Sequence, residues 1–173
     1  MSIIIRKEEP ADYAEVKNVV KMAFATAANA DGGEHHLVER LRGGAAFVPE
    51  LSLVAESNGK IVGHILFTKL KLHGTEQLAL APLSVLPEFQ RQGIGRKLIA
   101  AGHEAARKKG FDAVVVLGNP KVYGSSGYKP ARLWKISSPF EAPDAYFMVC
   151  ELKKGALPVK EGCVEYAEEF GIF

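Results

Sequence analysis

Three segments of the chain repeat apolar residues every three to four positions, which is the spacing of an amphipathic helix. The first follows Pro10 and ends near Phe24, the second is short and centred on 37–41, and the third covers 91–109. Gly110 stops the third segment, as glycine commonly does at the end of a helix. The pattern therefore predicts three helices, each with one buried face.

Apolar and β-branched runs between and after these segments predict seven strands, at 3–7, 51–55, 61–72, 77–86, 112–117, 128–137 and 145–152. The turn signals Asn58-Gly59 and His73-Gly74 join consecutive strands tightly, so these strands should pair antiparallel. The strands on either side of the third helix should instead be parallel. This order predicts an α/β (α+β) fold with a mixed, mostly antiparallel central sheet that contains one parallel pair and is flanked by helices.

The chain has 173 residues and a formal net charge of +2, from 22 basic and 20 acidic residues. This length predicts one domain, 1–173, in which 77–128 holds the motif core and 153–173 has the weakest pattern. Charges this balanced indicate neither nucleic acid nor a membrane as partner. No apolar run approaches the ~18–20 residues of a membrane span, and the N terminus lacks a signal-peptide pattern, so we expect a cytoplasmic protein.

The cysteines and the paired histidines do not indicate a metal site. Cys150 and Cys163 form no CxxC pair and have no histidines at metal-ligand spacing. We expect two reduced thiols rather than a disulfide, and nothing marks either as a nucleophile. His35 and His36 are adjacent, so their side chains should point in different directions, and solvated loop histidines are the better interpretation.

The segment 90–96, Gln-Arg-Gln-Gly-Ile-Gly-Arg, joins a predicted strand to the third helix. Backbone N–H groups at a helix N terminus lack partners and carry partial positive charge, so they bind phosphate oxygens. Gly93 and Gly95 let a phosphate approach the main chain, and Arg91 and Arg96 add charged donors. The spacing is neither that of a Walker loop nor that of a dinucleotide fingerprint. The alternative is that both glycines only relieve helix–strand packing.

The longer stretch 83–98 closely resembles the central motif of the GNAT superfamily of N-acetyltransferases, [QR]-x-x-G-x-[GA] behind a hydrophobic strand. The order of elements over 1–152 resembles the GNAT order as well. The resemblance implies that acetyl-CoA is the cosubstrate and that its pantetheine arm lies between the splayed strands 77–86 and 112–117. It also implies a binding site formed by the main chain around Leu83, Ser84 and Val85 for pantetheine and by Arg91, Gln92, Gly93, Ile94, Gly95 and Arg96 for the pyrophosphate.

A second stretch, 123–128, resembles the GNAT signature Y-x-x-x-G-[FY]. By this resemblance Tyr123 is the general acid that protonates the departing thiolate of coenzyme A. A phenol with a pKa of ~10 can donate to a thiolate whose conjugate acid has a pKa of ~8.5. The alternative is a core tyrosine packed beside Tyr128. Many GNAT members have an asparagine seven residues before this tyrosine, whereas Asn119 is four before it, so no coenzyme A contact is assigned to Asn119.

A protonated amine cannot attack an acyl carbon, so the acceptor needs a base or a water chain. The candidates are Glu34, His35, His36, Glu56 and His64, with Glu34 the first choice. The segment around Glu34 resembles E-x-x-L-V-x-x-L-R of a bacterial GNAT subgroup, and 162–170 resembles the G-x-V-x-Y-x-x-x-F tail of the same subgroup. The alternative for Glu34 is a first-turn carboxylate that stabilises its helix through the dipole.

These features predict an N-acetyltransferase in which a primary amine attacks acetyl-CoA directly in a ternary complex. The acceptor is a small-molecule or peptide amine. Homodimers are common in the family that the chain resembles, but the sequence shows no decisive interface for one. Two other hypotheses stay open: a catalytically weak acyl-CoA sensor, and a structural platform that dimerises. Four aromatic residues either line the acceptor pocket or belong to the core: Phe47, Trp134, Phe140 and Tyr146.

Overall fold

The computed structural model describes residues 2–25, 27 and 30–171. Within these ranges the α-helices are α1 (Tyr13–Phe24), α2 (Glu34–Arg42), α3 (Ile94–Lys108) and the short α4 (Pro120–Tyr123). The strands are β1 (Ile3–Lys7), β2 (Phe47–Ser57), β3 (Lys60–Leu72), β4 (Thr75–Val85), β5 (Ala113–Leu117), β6 (Lys129–Pro130), β7 (Ile136–Ser137), β8 (Phe147–Glu151) and β9 (Gly162–Cys163). None of these helices is long and apolar enough to cross a membrane.

The central sheet has the order β1-β2-β3-β4-β5-β8-β6, and β7 pairs with β9 in a separate small sheet. Neighbours in the central sheet are antiparallel except β4 and β5, which are parallel. The β2–β3 turn has positive φ at both central residues, Asn58 (50°) and Gly59 (79°), as its sequence predicts. The predicted fold class is therefore confirmed.

Helices cover both faces of this sheet. Gly63 of β3 makes room for α3, because a Cβ at Gly63 would lie 3.1 Å from the Leu98 side chain. The next residue, His64, points to the opposite face. There the buried Glu8 carboxylate contacts both His64 and Arg42, the last residue of α2. α3 and α2 thus lie on opposite faces, with β3 and β4 buried between layers.

The parallel strands β4 and β5 pair over only two residues, Leu78 with Val114 and Ala79 with Val115. On the N-terminal side the Gln77 side chain of β4 still accepts from Ala113 N of β5 at 3.1 Å, but on the C-terminal side β4 pairs with β3 alone and β5 with β8 alone. The strands therefore separate toward their C-terminal ends, as the predicted splay requires. Because α3 follows β4 directly, the resulting gap opens toward the N terminus of α3.

The third helix begins later than its apolar pattern predicts, at Ile94 instead of Arg91. Arg91 (φ 61°) and Gly93 (φ 84°) both have left-handed backbone conformations. Such residues cannot continue a right-handed helix, so the segment 91–93 forms a turn that ends at the helix N terminus.

The strand predicted over 128–137 is wrong. Only β6 joins the central sheet there, at its edge, and it is followed by a 3-10 turn and then by β7 in the other sheet. Pro130 has no N–H to extend the pairing, and Lys135 has a left-handed backbone (φ 61°), so the chain changes direction twice. The strand predicted over 145–152 is the shorter β8.

The tail after β8 packs onto the sheet over its described part. β9 pairs with β7, and Lys71 of β3 exchanges two backbone hydrogen bonds of 2.9 Å with Glu165. Val164, which is 1% exposed, lies in one apolar cluster with Leu70 of β3. The tail therefore covers the part of the sheet that the helices leave uncovered, on the face where α2 packs. Residues 172–173 lie outside the described residues, and one domain over 1–173 stays a prediction.

Candidate active site

α3 begins with hydrogen-bond donors that have no partner within the helix. Its first hydrogen bond runs from Lys97 N to Gly93 O at 3.1 Å. The N–H groups of Ile94, Gly95 and Arg96 therefore have no acceptor within the helix. Gly93 is the N-cap residue and provides no side-chain cap. An anion at this position meets three amides and the positive end of the helix dipole.

The two glycines of this segment have different roles. At Gly93 a Cβ would have nothing within 4 Å, but the backbone has a φ of 84°. Packing relief therefore does not explain Gly93, whereas its left-handed conformation does, and the space above it is open. At Gly95 a Cβ would lie 3.6 Å from the Leu83 side chain, which is an ordinary contact. Neither glycine is thus required by the approach of β4.

Side chains next to these amides add charge and brace the turn. Arg91 and Arg96 are exposed and supply positive charge beside the open space at Gly93. Gln92 Nε2 donates to Glu88 O at 3.2 Å, so this side chain holds the turn in shape. What Gln92 offers an incoming phosphate is therefore its main-chain N–H.

The main chain of Leu83 and Val85 faces the gap between β4 and β5. Leu86 N donates to Val62 O of β3 at 2.9 Å. Because peptide groups alternate in direction along a strand, those of Leu83 and Val85 point away from β3 and into the gap. Val85 O already accepts a hydrogen bond from Gln90 Nε2 at 2.9 Å, and a carbonyl oxygen has a second lone pair for a ligand.

Tyr123 ends the short helix α4 that follows β5. Its ring lies against Gly118, where a Cβ would come within 2.5 Å of Tyr123 Cε2, and Tyr128 meets it edge-on at 5.7 Å between centroids. Burial raises the pKa of Tyr123 to about 12, so the phenol stays protonated at neutral pH. The ring is packed beside Tyr128 and also carries a protonated donor, so this geometry suits both interpretations of Tyr123.

Asn119 has a local structural role. Its Oδ1 accepts a hydrogen bond from Lys121 N at 2.9 Å and so caps the N terminus of α4. This bond accounts for an asparagine here without a coenzyme A contact.

Glu34 is the first residue of α2, and its contacts are local. Its Oε2 accepts from Asp31 N at 3.0 Å, and Asp31 Oδ1 in turn accepts from Gly33 N at 2.7 Å. A carboxylate at this position is favourable for the helix dipole, which supports the first-turn interpretation. Among the described residues, the side chain of Glu34 bonds to the loop just before α2 and not to Tyr123. A base role for Glu34 stays a prediction.

The side chains of the other base candidates already have partners within the protein. Glu56 forms an ion pair of 2.9 Å with an arginine of β1. His64 is fully buried with its Nε2 3.0 Å from Ser52 Oγ, and this burial lowers its pKa to about 3. His35 and His36 lie in the first turn of α2 and their rings pack on each other at 4.0 Å between centroids, so the expected loop position and diverging side chains are wrong. Over residues 2–25, 27 and 30–171 no three His, Cys, Asp or Glu side chains are grouped to hold a metal ion.

A cavity of about 780 Å³ lies where the tail crosses β3, and the sequence does not predict it. Its walls are 45–46, 69–71, Glu76, Pro139 and 163–169. The four aromatic residues considered for an acceptor pocket are not among these residues. The walls come from segments about a hundred residues apart, so no local pattern could have revealed the cavity.

Comparison with known proteins identifies the family. The model of the acetyltransferase (GNAT) family matches residues 18–124. YjhQ of Escherichia coli K12, described as an uncharacterized N-acetyltransferase, is 35% identical over 143 residues, which are 80% of this chain and 76% of that protein. YhbS of the same strain, described in the same way, is 29% identical over 99% of this chain and 100% of that protein. This chain belongs to the GNAT family.

Two solved structures extend the similarity over almost the whole chain. E. coli YhbS in complex with CoA has a TM-score of 0.88 and 28% identity, covering 98% of this chain and 92% of that one. A GNAT family acetyltransferase from Brucella melitensis in complex with acetyl-CoA has a TM-score of 0.80 and 34% identity, covering 98% of each chain. Their coverage shows that the tail belongs to the shared fold.

Proposed function

We propose that this chain transfers an acetyl group from acetyl-CoA to a primary amine by direct attack in a ternary complex. The observation that carries the proposal is the gap between β4 and β5, which opens onto the free amides of α3. The pyrophosphate binds the turn and helix start at 91–96, and the pantetheine arm lies along the main chain of 83–85. The CoA of YhbS and the acetyl-CoA of the Brucella protein support this choice of donor.

In this reaction a bond forms between the amine nitrogen and the acetyl carbon, and the bond from that carbon to sulfur breaks. The sulfur leaves as a thiolate and takes a proton from the Tyr123 hydroxyl. The pKa of Tyr123 is about 12, above the ~8.5 of a thiol in water. Apolar surroundings raise the pKa of a thiol as well, so the difference narrows in the closed site. Water reprotonates the phenol after release.

Glu34 is the base that we propose for the amine proton. Glu34 is partly exposed, and its Oε2 accepts the hydrogen bond from Asp31 N, so Oε1 is the atom that we propose to take a proton from the amine or from water. Glu34→Gln separates the two interpretations, because an amide oxygen still accepts from Asp31 N but takes no proton. We expect Glu34→Gln to lose turnover, and to lose no more stability than the about 0.3–1 kcal/mol that a first-turn charge contributes through the helix dipole. Turnover equal to that of the parent would leave Glu34 only its role in the first turn.

Release of free thiol from acetyl-CoA, measured against a broad panel of small and peptide amines, tests the proposal. We expect amine-dependent release by the parent. Tyr123→Phe should lower kcat by about 10²-fold or more, with acetyl-CoA binding unchanged in calorimetry. Tight binding without release by any amine would favour the sensor. Absence of acetyl-CoA binding would favour the structural platform.

A further inference from the structure

His103 and Tyr128 form a buried hydrogen-bonded pair that the proposed reaction does not use. His103 Nε2 lies 2.8 Å from Tyr128 Oη, and the two residues are 5% and 3% exposed. His103 lies on α3, whose first turn carries the free amides, and Tyr128 lies just before β6. The bond therefore joins the proposed phosphate-binding helix to the segment after β5.

The pair reaches Tyr123 through ring contacts. The Tyr128 ring meets the Tyr123 ring edge-on at 5.7 Å, and Gly118 stands against the Tyr123 ring. The His103 ring itself packs at 5.4 Å from the Tyr128 ring and at 6.1 Å from the Phe67 ring. A continuous series of packed groups thus connects α3 to the ring whose hydroxyl is the proposed acid.

Both members of the pair are neutral at physiological pH. Burial, and then the nearby Arg107, lower the pKa of His103 to about 4. Burial raises the pKa of Tyr128 well above its usual value. Because the phenol is the stronger acid of the two, we assign the bond as Tyr128 O–H donating to Nε2, with the imidazole proton on Nδ1.

We propose that His103 and Tyr128 are positioning residues that hold the Tyr123 ring against Gly118, so that its hydroxyl is aimed into the gap between β4 and β5. This role rests on the proposed function of Tyr123 as the acid. The resembled family motif accepts Phe or Tyr at the position of Tyr128, so the hydroxyl bond to His103 is not part of that motif. Without His103 the buried hydroxyl lacks a partner, and Tyr128 must move to find one.

The first test measures the Tyr123 ring without any reaction. Ring-flip rates come from NMR of the full chain with ring-labelled tyrosine, assigned with Tyr123→Phe. His103→Leu removes the acceptor, and we expect it to raise the flip rate of Tyr123 at least about tenfold. His103→Gln keeps an acceptor near the Nε2 position and should stay close to the parent. Ile99→Val, a buried change on the same helix, is the control for general loosening of α3.

The second test measures turnover with an amine found in the thiol-release panel. His103→Leu should lower kcat about tenfold, leave KM for acetyl-CoA unchanged and be rescued in His103→Gln. In a Tyr123→Phe background the same change should have no further effect, whereas loss of stability alone would act equally in both backgrounds.

The results separate the two proposals. If His103→Leu leaves the flip rate of Tyr123 as in Ile99→Val, the positioning role is wrong. If Tyr123→Phe itself keeps full turnover, or no amine is acetylated, the proposed function is wrong and the ring-flip result alone decides whether His103 holds the ring.

Discussion

Gly118→Ala tests whether the placement of the Tyr123 ring controls the reaction. A Cβ at Gly118 would stand 2.5 Å from Tyr123 Cε2 and 3.1 Å from Cδ2. Because carbon atoms in contact lie about 3.5–4.0 Å apart, the ring must shift by about 1 Å. A shift of about 1 Å costs up to 10²-fold in rate. We expect kcat to fall about 10- to 100-fold, which corresponds to about 1.4–2.7 kcal/mol.

The assay is thiol release at saturating acetyl-CoA, with binding of acetyl-CoA measured separately by calorimetry. Binding should be unchanged, because the amides of α3 are not touched. Gly124→Ala is the matched control, since Gly124 has a helical backbone and a Cβ there would meet nothing within 4 Å. If folded Gly118→Ala turns over as fast as Gly124→Ala, the position of the ring does not matter and the acid role of Tyr123 is refuted.

Two further predictions concern stability. Arg42→Met leaves the Glu8 carboxylate, with a side chain 1% exposed, without its cation, so the free energy of unfolding in urea should fall by about 3–5 kcal/mol; a loss under about 1 kcal/mol would contradict this account of the pair. The Arg6 guanidinium, followed by Glu9 N–H, holds the pKa of Asp12 below its usual 3.8. A carboxyl whose pKa is lower in the folded chain than in the unfolded chain stabilises the fold at any pH above its unfolded pKa. This contribution is lost as the pH falls through the folded pKa. The penalty of Asp12→Asn should therefore be full at pH 7 and shrink below about pH 4, whereas a penalty independent of pH would disprove the linkage.

The helices and the larger strands could be predicted because local signals agree there with the global fold. Asn58-Gly59 requires a turn with two positive φ values whatever surrounds it, and the structure has them. The run of three valines at 114–116 is typical of a strand covered on both faces, and 113–116 are buried in β5. The predictions failed where single residues set the backbone conformation. The left-handed Gly93 delays the start of α3, and Pro130 and Lys135 interrupt the strand predicted over 128–137.

The tail could not be predicted in detail for a different reason. Its register depends on Glu165 pairing with Lys71, which lies about ninety residues earlier, and on packing of Val164 beside Leu70. Such contacts leave little periodicity in the tail itself. The same reason hides the cavity between the tail and β3, whose walls meet only in the fold.

The candidate site has a donor half, which binds acetyl-CoA, and an acceptor half, which binds the amine. The sequence predicts the donor half better than the acceptor half. The donor half lies on consecutive residues, 90–96, because main-chain amides at one helix start do the binding, and such a segment can be recognised locally. The acceptor half needs side chains from separate loops, and Glu34 has both a structural and a catalytic interpretation. His103 could not be predicted from the sequence, because its bond to Tyr128 exists only in the folded chain.

Calorimetric titration of acetyl-CoA into Gly93→Asp and Gly93→Asn tests the central claim most directly. Asn and Asp are similar in size and both tolerate the left-handed backbone at this position, so the pair differs mainly in one negative charge. A unit charge about 4 Å from a phosphate opposes binding by about 4 kcal/mol at the effective dielectric constant of a protein surface. The account predicts that Gly93→Asp binds acetyl-CoA at least about 100-fold more weakly than Gly93→Asn. Equal affinity of the two variants would contradict a pyrophosphate site at the start of α3.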